Sequence, residues 1–176
     1  INYEQMFIEF QFQNACQSGN LNEAKRLLQL NSFKIIVENE AFLRACQNGH
    51  LHVAQWLLQN KPTINVSASN DFAFTHSCMN GHLHVAQWLL QIKPTINVSD
   101  SNEFAFESAC AKGHLHVAQW LFQIKPNINV SAYNDCAFQH ACKNSHLHVA
   151  KWFCELNPFK YSIDGKINKN HNITLL

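Results

Sequence analysis

The apolar positions of this chain follow one pattern from end to end: a short helical stripe, a glycine, a longer helical stripe, a proline and a polar finger. The third copy shows it most plainly. Behind the opening Phe72-Ala73, the residues Phe74, Ser77 and Cys78 stand at i, i+3 and i+4, the spacing of one helix face. Asn80-Gly81 ends that helix, because glycine takes a left-handed C-cap without a Cβ penalty. The spacing predicts a second helix from about His82 to Ile92. Leu83, Val85, Ala86, Trp88, Leu89 and Leu90 supply its apolar positions, and His84, Gln87 and Gln91 fall on one outward stripe. Pro94 blocks continuation. Residues 95–102 are rich in β-branched, Ser and Asn residues and are predicted to form an extended finger with a turn near Ser101-Asn102.

The second-helix stretch, GHLHVAQWL, occurs at residues 49–57 and returns unchanged at 81–89 and 113–121, a step of 32. A worn copy, SHLHVAKWF, occupies 145–153, and a distant one, GNLNEAKRL, occupies 19–27. A fixed period of this size is the mark of a solenoid whose units bury their apolar faces against their neighbours. The repeats fall at about 8–37, 38–69, 70–101, 102–133 and 134–163, within a single domain over 1–176. Residues 1–7 are expected to lead in, with Asn2 an N-cap and Met6 and Phe7 covering the end. Residues 164–176 are expected to form a tail or partial cap.

Composition narrows the function classes. Apolar residues make up 47% of the chain and charged ones 14%, a balance of packed rather than disordered proteins. A formal net charge of +1 leaves no basic footprint for nucleic acid, and no apolar run has the length of a membrane span. With no signal peptide at its start, the chain is expected to be intracellular, cytoplasmic or nuclear. Five of the seven cysteines (Cys16, Cys46, Cys78, Cys110 and Cys142) keep the repeat, so they read as small core residues, and seven free thiols are expected.

Helix, tight turn, helix and finger at a step near 33 resembles the ankyrin repeat, over roughly residues 8–160. GHLHVAQWLLQ is similar to that family's second-helix signature, and Ile64-Asn65, Ile96-Asn97 and Ile128-Asn129 match its Val/Ile-Asn step. Where the family usually shows TPLH, this chain has Phe72-Ala73-Phe74-Thr75, Phe104-Ala105-Phe106-Glu107 and Cys136-Ala137-Phe138-Gln139, so aromatic packing is expected to replace the Thr and His hydrogen bonds. The finger lacks the family's Gly; Asn70, Asn102 and Asn134 stand nearby, and Asn is the next best residue for a left-handed turn. The expected fold is all-α: an ankyrin-like repeat solenoid of about five helix-turn-helix repeats of 30–32 residues with extended finger loops.

Four His-x-His pairs invite a metal reading: His50/His52, His82/His84, His114/His116 and His146/His148. Residues two apart on a helix point roughly 200° apart, so the members of a pair cannot share an ion. The stacked outer histidines suggest a pH sensor, but at about 10 Å between repeats exposed charges are largely screened. Trp56, Trp88, Trp120 and Trp152 recur within apolar helices and read as a core or half-buried ladder rather than a stacking platform. Equivalent cysteines on a core stripe are unlike a single activated nucleophile. The expectation is no enzyme, no catalytic residue, no cofactor and no metal.

The differences among repeats carry the functional expectation. Second helices are near copies, while first helices and finger tips vary. In ankyrin-like stacks those parts form the concave face, which usually binds a protein. The resemblance therefore implies a non-catalytic interaction module with partner-binding candidates Leu43, Arg44, Gln47, Asp71, Thr75, His76, Met79, Glu103, Glu107, Ser108, Tyr133, Asp135, Gln139, His140 and Lys143. The expected partner is a protein, not nucleic acid or membrane. Glu38, Glu40, Asp71, Asp100, Glu103 and Asp135 cluster at the finger turns, an acidic edge that favours a basic partner. The competing expectation is a structural component that self-associates through uncapped ends, where Phe7, Phe10 and Phe12 lie at one side of repeat one and Phe33, Ile35, Ile36 and Val37 close it.

Overall fold

The structure, a computed structural model, describes residues 3–30, 38–98 and 100–162. Asn2, Phe33, Ile35, Ile36, Val37 and the 164–176 tail lie outside the described residues, as do the side chains of Asp100, Ser101 and Asn102. All regular structure among the described residues is helical, and none of these helices is long and apolar enough to cross a membrane. Contacts group the chain into two compact units, Ile1–Asn97 and Val98–Leu176.

The first unit holds α1 (Tyr3–Gln17), α2 (Leu21–Leu30), α3 (Glu38–Gln47), α4 (Leu51–Asn60), α5 (Ala68–Met79) and α6 (Leu83–Ile92). First helices pack side by side, α1 on α3 and α3 on α5, and each second helix backs onto its own first helix. The second unit repeats the plan with α7 (Asp100–Ala111), α8 (Leu115–Ile124), α9 (Ala132–Lys143) and α10 (Leu147–Leu156), α7 lying against α9.

The turn inside each repeat is a Schellman motif, as Asn-Gly at a helix end predicts. Gly49 N–H donates to the Cys46 carbonyl at 3.1 Å and His50 N–H to the Ala45 carbonyl at 2.9 Å, with Gly49 at φ 79. Gly81 and Gly113 repeat the geometry at φ 80, and Ser145 fills the same place at φ 62. Each of His50, His82, His114 and His146 then sits at the N-cap of the second helix.

The core is periodic. Phe12, Phe42, Phe74 and Phe106 are buried on the first helices, and the Val-Ala and Leu positions of the second helices are buried behind them. Each such Phe or Leu stabilises the fold by about 1.5–3 kcal/mol through its burial. Half-buried tryptophans pack on the Phe of the preceding repeat: Phe12–Trp56 at 6.5 Å and Phe42–Trp88 at 6.2 Å in the first unit, Phe106–Trp152 at 6.2 Å in the second. The five repeating cysteines are buried, and Cys136 and Cys154 are half-buried. Burial pushes the Cys16 thiol up to about 12 and drives Cys46 and Cys78 higher still.

Helix α1 starts at Tyr3, where an N-cap at Asn2 would start it; Glu4, Gln5 and Met6 are good helix formers and no breaker precedes Gly19. Two features differ from the sequence expectations. Phe12 is core, while Phe7 and Phe10 are exposed. The fingers carry no β-strand among the described residues. They are turns that end in three left-handed residues, Ser69-Asn70-Asp71 and Tyr133-Asn134-Asp135, with right-handed helix resuming at Phe72 and Cys136. Asn70 and Asn134 are left-handed as expected; Tyr133, at φ 50, is a bulky residue in a conformation that crowds its Cβ.

Candidate functional site

Two sets of side chains distinguish the faces of each unit. The second-helix side is built by repetition. The rings of His50, His82 and His146 lie over Gly19, Gly49 and Gly113 of the preceding repeat; a Cβ added to Gly49 would fall 2.5 Å from Nδ1 of His82. The next histidine along also ties repeats together: Nε2 of His52 donates to the Gly19 carbonyl at 3.1 Å, His84 to Gly49 at 3.0 Å and His148 to Gly113 at 2.7 Å. Both members of these pairs therefore contact the preceding repeat, and their rings meet edge to face with centroids 6.2 Å apart in His50/His52 and 6.3 Å in His82/His84. Burial first, and then the neighbouring His84 and His50, holds His82 below the ordinary histidine value, which favours the neutral ring.

The first-helix side carries the varied residues. In the first unit Leu43, Arg44 and Gln47 sit half-buried on α3, and Thr75, His76 and Met79 half-buried on α5. Arg44 pairs with Glu40 at 2.9 Å and donates to Gln17 at 3.2 Å. The His76 ring stacks on Phe72 with centroids 3.4 Å apart. In the second unit Glu107, Gln139 and His140 are half-buried, Lys143 and Tyr133 are exposed, and Ser108 is buried.

The acidic finger edge is largely turned inward. Asp71, Glu103 and Asp135 are buried at 9%, 8% and 5% relative exposure. Each serves the finger 26 residues on: Asn97 N–H donates to Asp71 at 3.1 Å, Asn129 N–H to Glu103 at 3.5 Å, and Tyr161 O–H to Asp135 at 2.6 Å. Asn39 takes the same place in repeat two, accepting from Asn65 N–H at 3.0 Å. The lysines after the second helices neutralise this row, Lys61 with Glu38 at 3.1 Å and Lys125 with Glu103 at 3.8 Å, so they meet carboxylates rather than only helix ends. Lys160 reaches Asp135 at 2.8 Å. Burial raises the Asp135 carboxyl, but hydrogen bonds from Lys160, Tyr161 and Ser131 outweigh it and hold the group below its ordinary value. No local pattern reveals this brace, because donor and acceptor are 26 residues apart and the acceptor changes identity among Asn, Asp and Glu.

The structure brings two groups of varied residues together, both in the second unit. Tyr133, at 59% exposure, stands at a finger tip beside an open pocket of ≈ 280 Å³ lined by Glu103, Asn129, Ala132 and Tyr133. Separately, Glu107 of α7 approaches Cys136 and His140 of α9: Oε1 of Glu107 is 3.4 Å from Nδ1 of His140, and Sγ of Cys136 is 3.5 Å from the same nitrogen. Burial, and then the Glu107 carboxylate, pushes the Cys136 thiol up to about 11. Cys136 is absent from the sequence candidates. Its signal was available: it replaces the phenylalanine of Phe72 and Phe104, and it stands one helical turn from His140.

A family model described as ankyrin repeats (3 copies) matches residues 12–102 and 42–134. No curated protein matches the chain.

Proposed function

Because the chain belongs to the ankyrin repeat family, whose repeats are generally protein–protein interaction modules and typically non-catalytic, we propose that it binds a protein partner through its first helices and finger tips. The observation that carries this reading is Tyr133. It is exposed where the apolar candidates Leu43 and Met79 are half-buried, it borders an open pocket, and it is held at φ 50, in the left-handed region that crowds a bulky residue. Tyrosine in such a place supplies large contact area with a polar tip. Leu43, Arg44, Gln47, Thr75, His76 and Met79 in the first unit, and Glu107, Gln139, His140 and Lys143 in the second, are the remaining contact candidates. Asp71, Glu103 and Asp135 act behind them by holding fingers in place, and Ser108 is buried.

The second reading, assembly with copies or neighbours, is favoured by one observation. Tyr3, Met6, Phe7 and Phe10 form a single stripe on α1 and are 92%, 56%, 60% and 60% exposed.

The test compares two surfaces once the partner is isolated on the folded chain. Tyr133→Ala is expected to weaken partner affinity roughly thirtyfold, a hot-spot loss of about 2 kcal/mol, with the melting curve nearly unchanged. Changing Gln55, Gln87 and Gln119 together to alanine is expected to leave affinity alone. Loss of binding in the glutamine variant but not in Tyr133→Ala, or concentration-dependent association abolished by Phe7→Ser with Phe10→Ser, would move the conclusion to assembly.

A further inference from the structure

The Glu107, Cys136 and His140 constellation is unlike the rest of the first-helix face. It joins three different ligand types from two helices, and each offers one donor atom, all lying within 4.8 Å of one another. A tetrahedral ion with bonds of 2.0–2.3 Å places its ligand atoms roughly 3.3–3.8 Å apart. The observed Oε1–Nδ1 and Sγ–Nδ1 separations, 3.4 and 3.5 Å, already have that size. We propose that Glu107, Cys136 and His140 form a zinc site in the second unit.

The chemistry selects the ion. Thiolate and imidazole together favour a borderline-soft cation over calcium or magnesium, which take oxygen ligands, and zinc accepts one carboxylate beside them. Three protein ligands leave the fourth position to water, the open form of a zinc centre. The helices fix the donors in advance. Cys136 and His140 are one turn apart on α9, so they share a face, and α7 packs against α9 to bring Glu107 opposite. His140 is 44% exposed at its side chain and Glu107 20%, which leaves the ion a path from solvent. The other repeats lack the set: the places of Cys136 and His140 hold Phe72 and His76 in repeat three, where the rings stack, and Phe104 and Ser108 in repeat four. The expectation of no metal covered the whole chain, although it was argued from the histidine pairs, and a zinc ion at this cluster would overturn it.

The neighbouring repeats supply replacements already compatible with the fold: Cys136→Phe, His140→Ser and Glu107→Thr, after Phe72, Ser108 and Thr75. The full chain, stripped with chelator, is titrated with cobalt(II) alone and then with zinc, following the thiolate-to-cobalt charge-transfer band, with helicity recorded for every variant. One cobalt per chain is expected, with a charge-transfer band that zinc displaces, and at least a tenfold weaker affinity in each variant of native helicity. Absence of the band in the parent, or a band and affinity that survive any one of the three substitutions, would overturn the site. A second arm protects against a misfolded variant: zinc should slow alkylation of Cys136 in the parent, read by peptide mass, and unchanged labelling would equally overturn it. Either failure leaves the partner-binding reading, which rests on Tyr133, intact.

Discussion

At the scale of single residues, identity between repeats marks positions where two neighbours touch. Gly49 illustrates it. Its φ of 79 favours glycine, and the His82 ring occupies the place where a Cβ would go. Ser145 shows that a non-glycine residue adopts this conformation, so the ring above Gly49 is the stronger constraint. Gly49→Ala is expected to destabilise the chain by about 1–3 kcal/mol, read as a lower denaturant midpoint at unchanged m-value. A change below about 0.5 kcal/mol would mean that the ring moves aside freely. The glycine itself was legible in the sequence from Asn-Gly at a helix end. What rests on it was not, since the histidine arrives from the next repeat and local pattern says nothing about contacts 33 residues away. The same limit applies to the histidine pairs: the first member is a non-helical N-cap whose ring lies 6.2 Å from that of the second in His50/His52, so helix periodicity does not describe the pair, and the glycine carbonyls bound by the second member lie in the preceding repeat.

At the scale of elements, helices were legible and fingers were not. Period 3.6 patterning, glycine ends and proline stops placed the helix pairs, because local propensity and burial agree there. Fingers depend on long-range bonds, and three of their acidic residues, Asp71, Glu103 and Asp135, were read as a surface when they are internal braces. The last finger tests this. Asp135 accepts from Tyr161 and Lys160, and its carboxyl is held below the ordinary range, so the stability it contributes is full above that range and is lost as pH falls through the lowered value. Asp135→Asn is expected to lower stability by about 1.5–3 kcal/mol at neutral pH, the worth of hydrogen bonds to a charged group, and the gap from the parent should close as acid protonates the parent carboxyl. A gap that stays constant from neutral to acid pH would show that the charge is not what holds the finger. The zinc cluster belongs to this scale too: Cys136 and His140 were legible as one helix face, whereas Glu107 joins them only through the packing of α9 on α7.

At the scale of the whole molecule, residues divide by whether the repeats share them. Within each unit, shared residues stack one repeat on the next, and unshared ones on first helices and finger tips are the proposed contact surface. The stacking half is the foundation, since every partner-binding assignment relies on it. Removing residues 38–69 from the full chain excises one period and brings repeat one against repeat three. Phe12 would then meet Trp88 as Phe42 does, and Gly19 would meet His82 as Gly49 does, so the new junction repeats an interface already present in the first unit. Removing residues 38–53 takes half a period and destroys that register. The direct measurement is thermal unfolding of both deletants followed by helical circular dichroism. The full-period deletant is expected to keep a cooperative transition and native helicity per residue at a lower melting temperature, and the half-period deletant to lose its cooperative transition. Equal melting and helicity in the two, or a full-period deletant that fails to fold, would contradict the account.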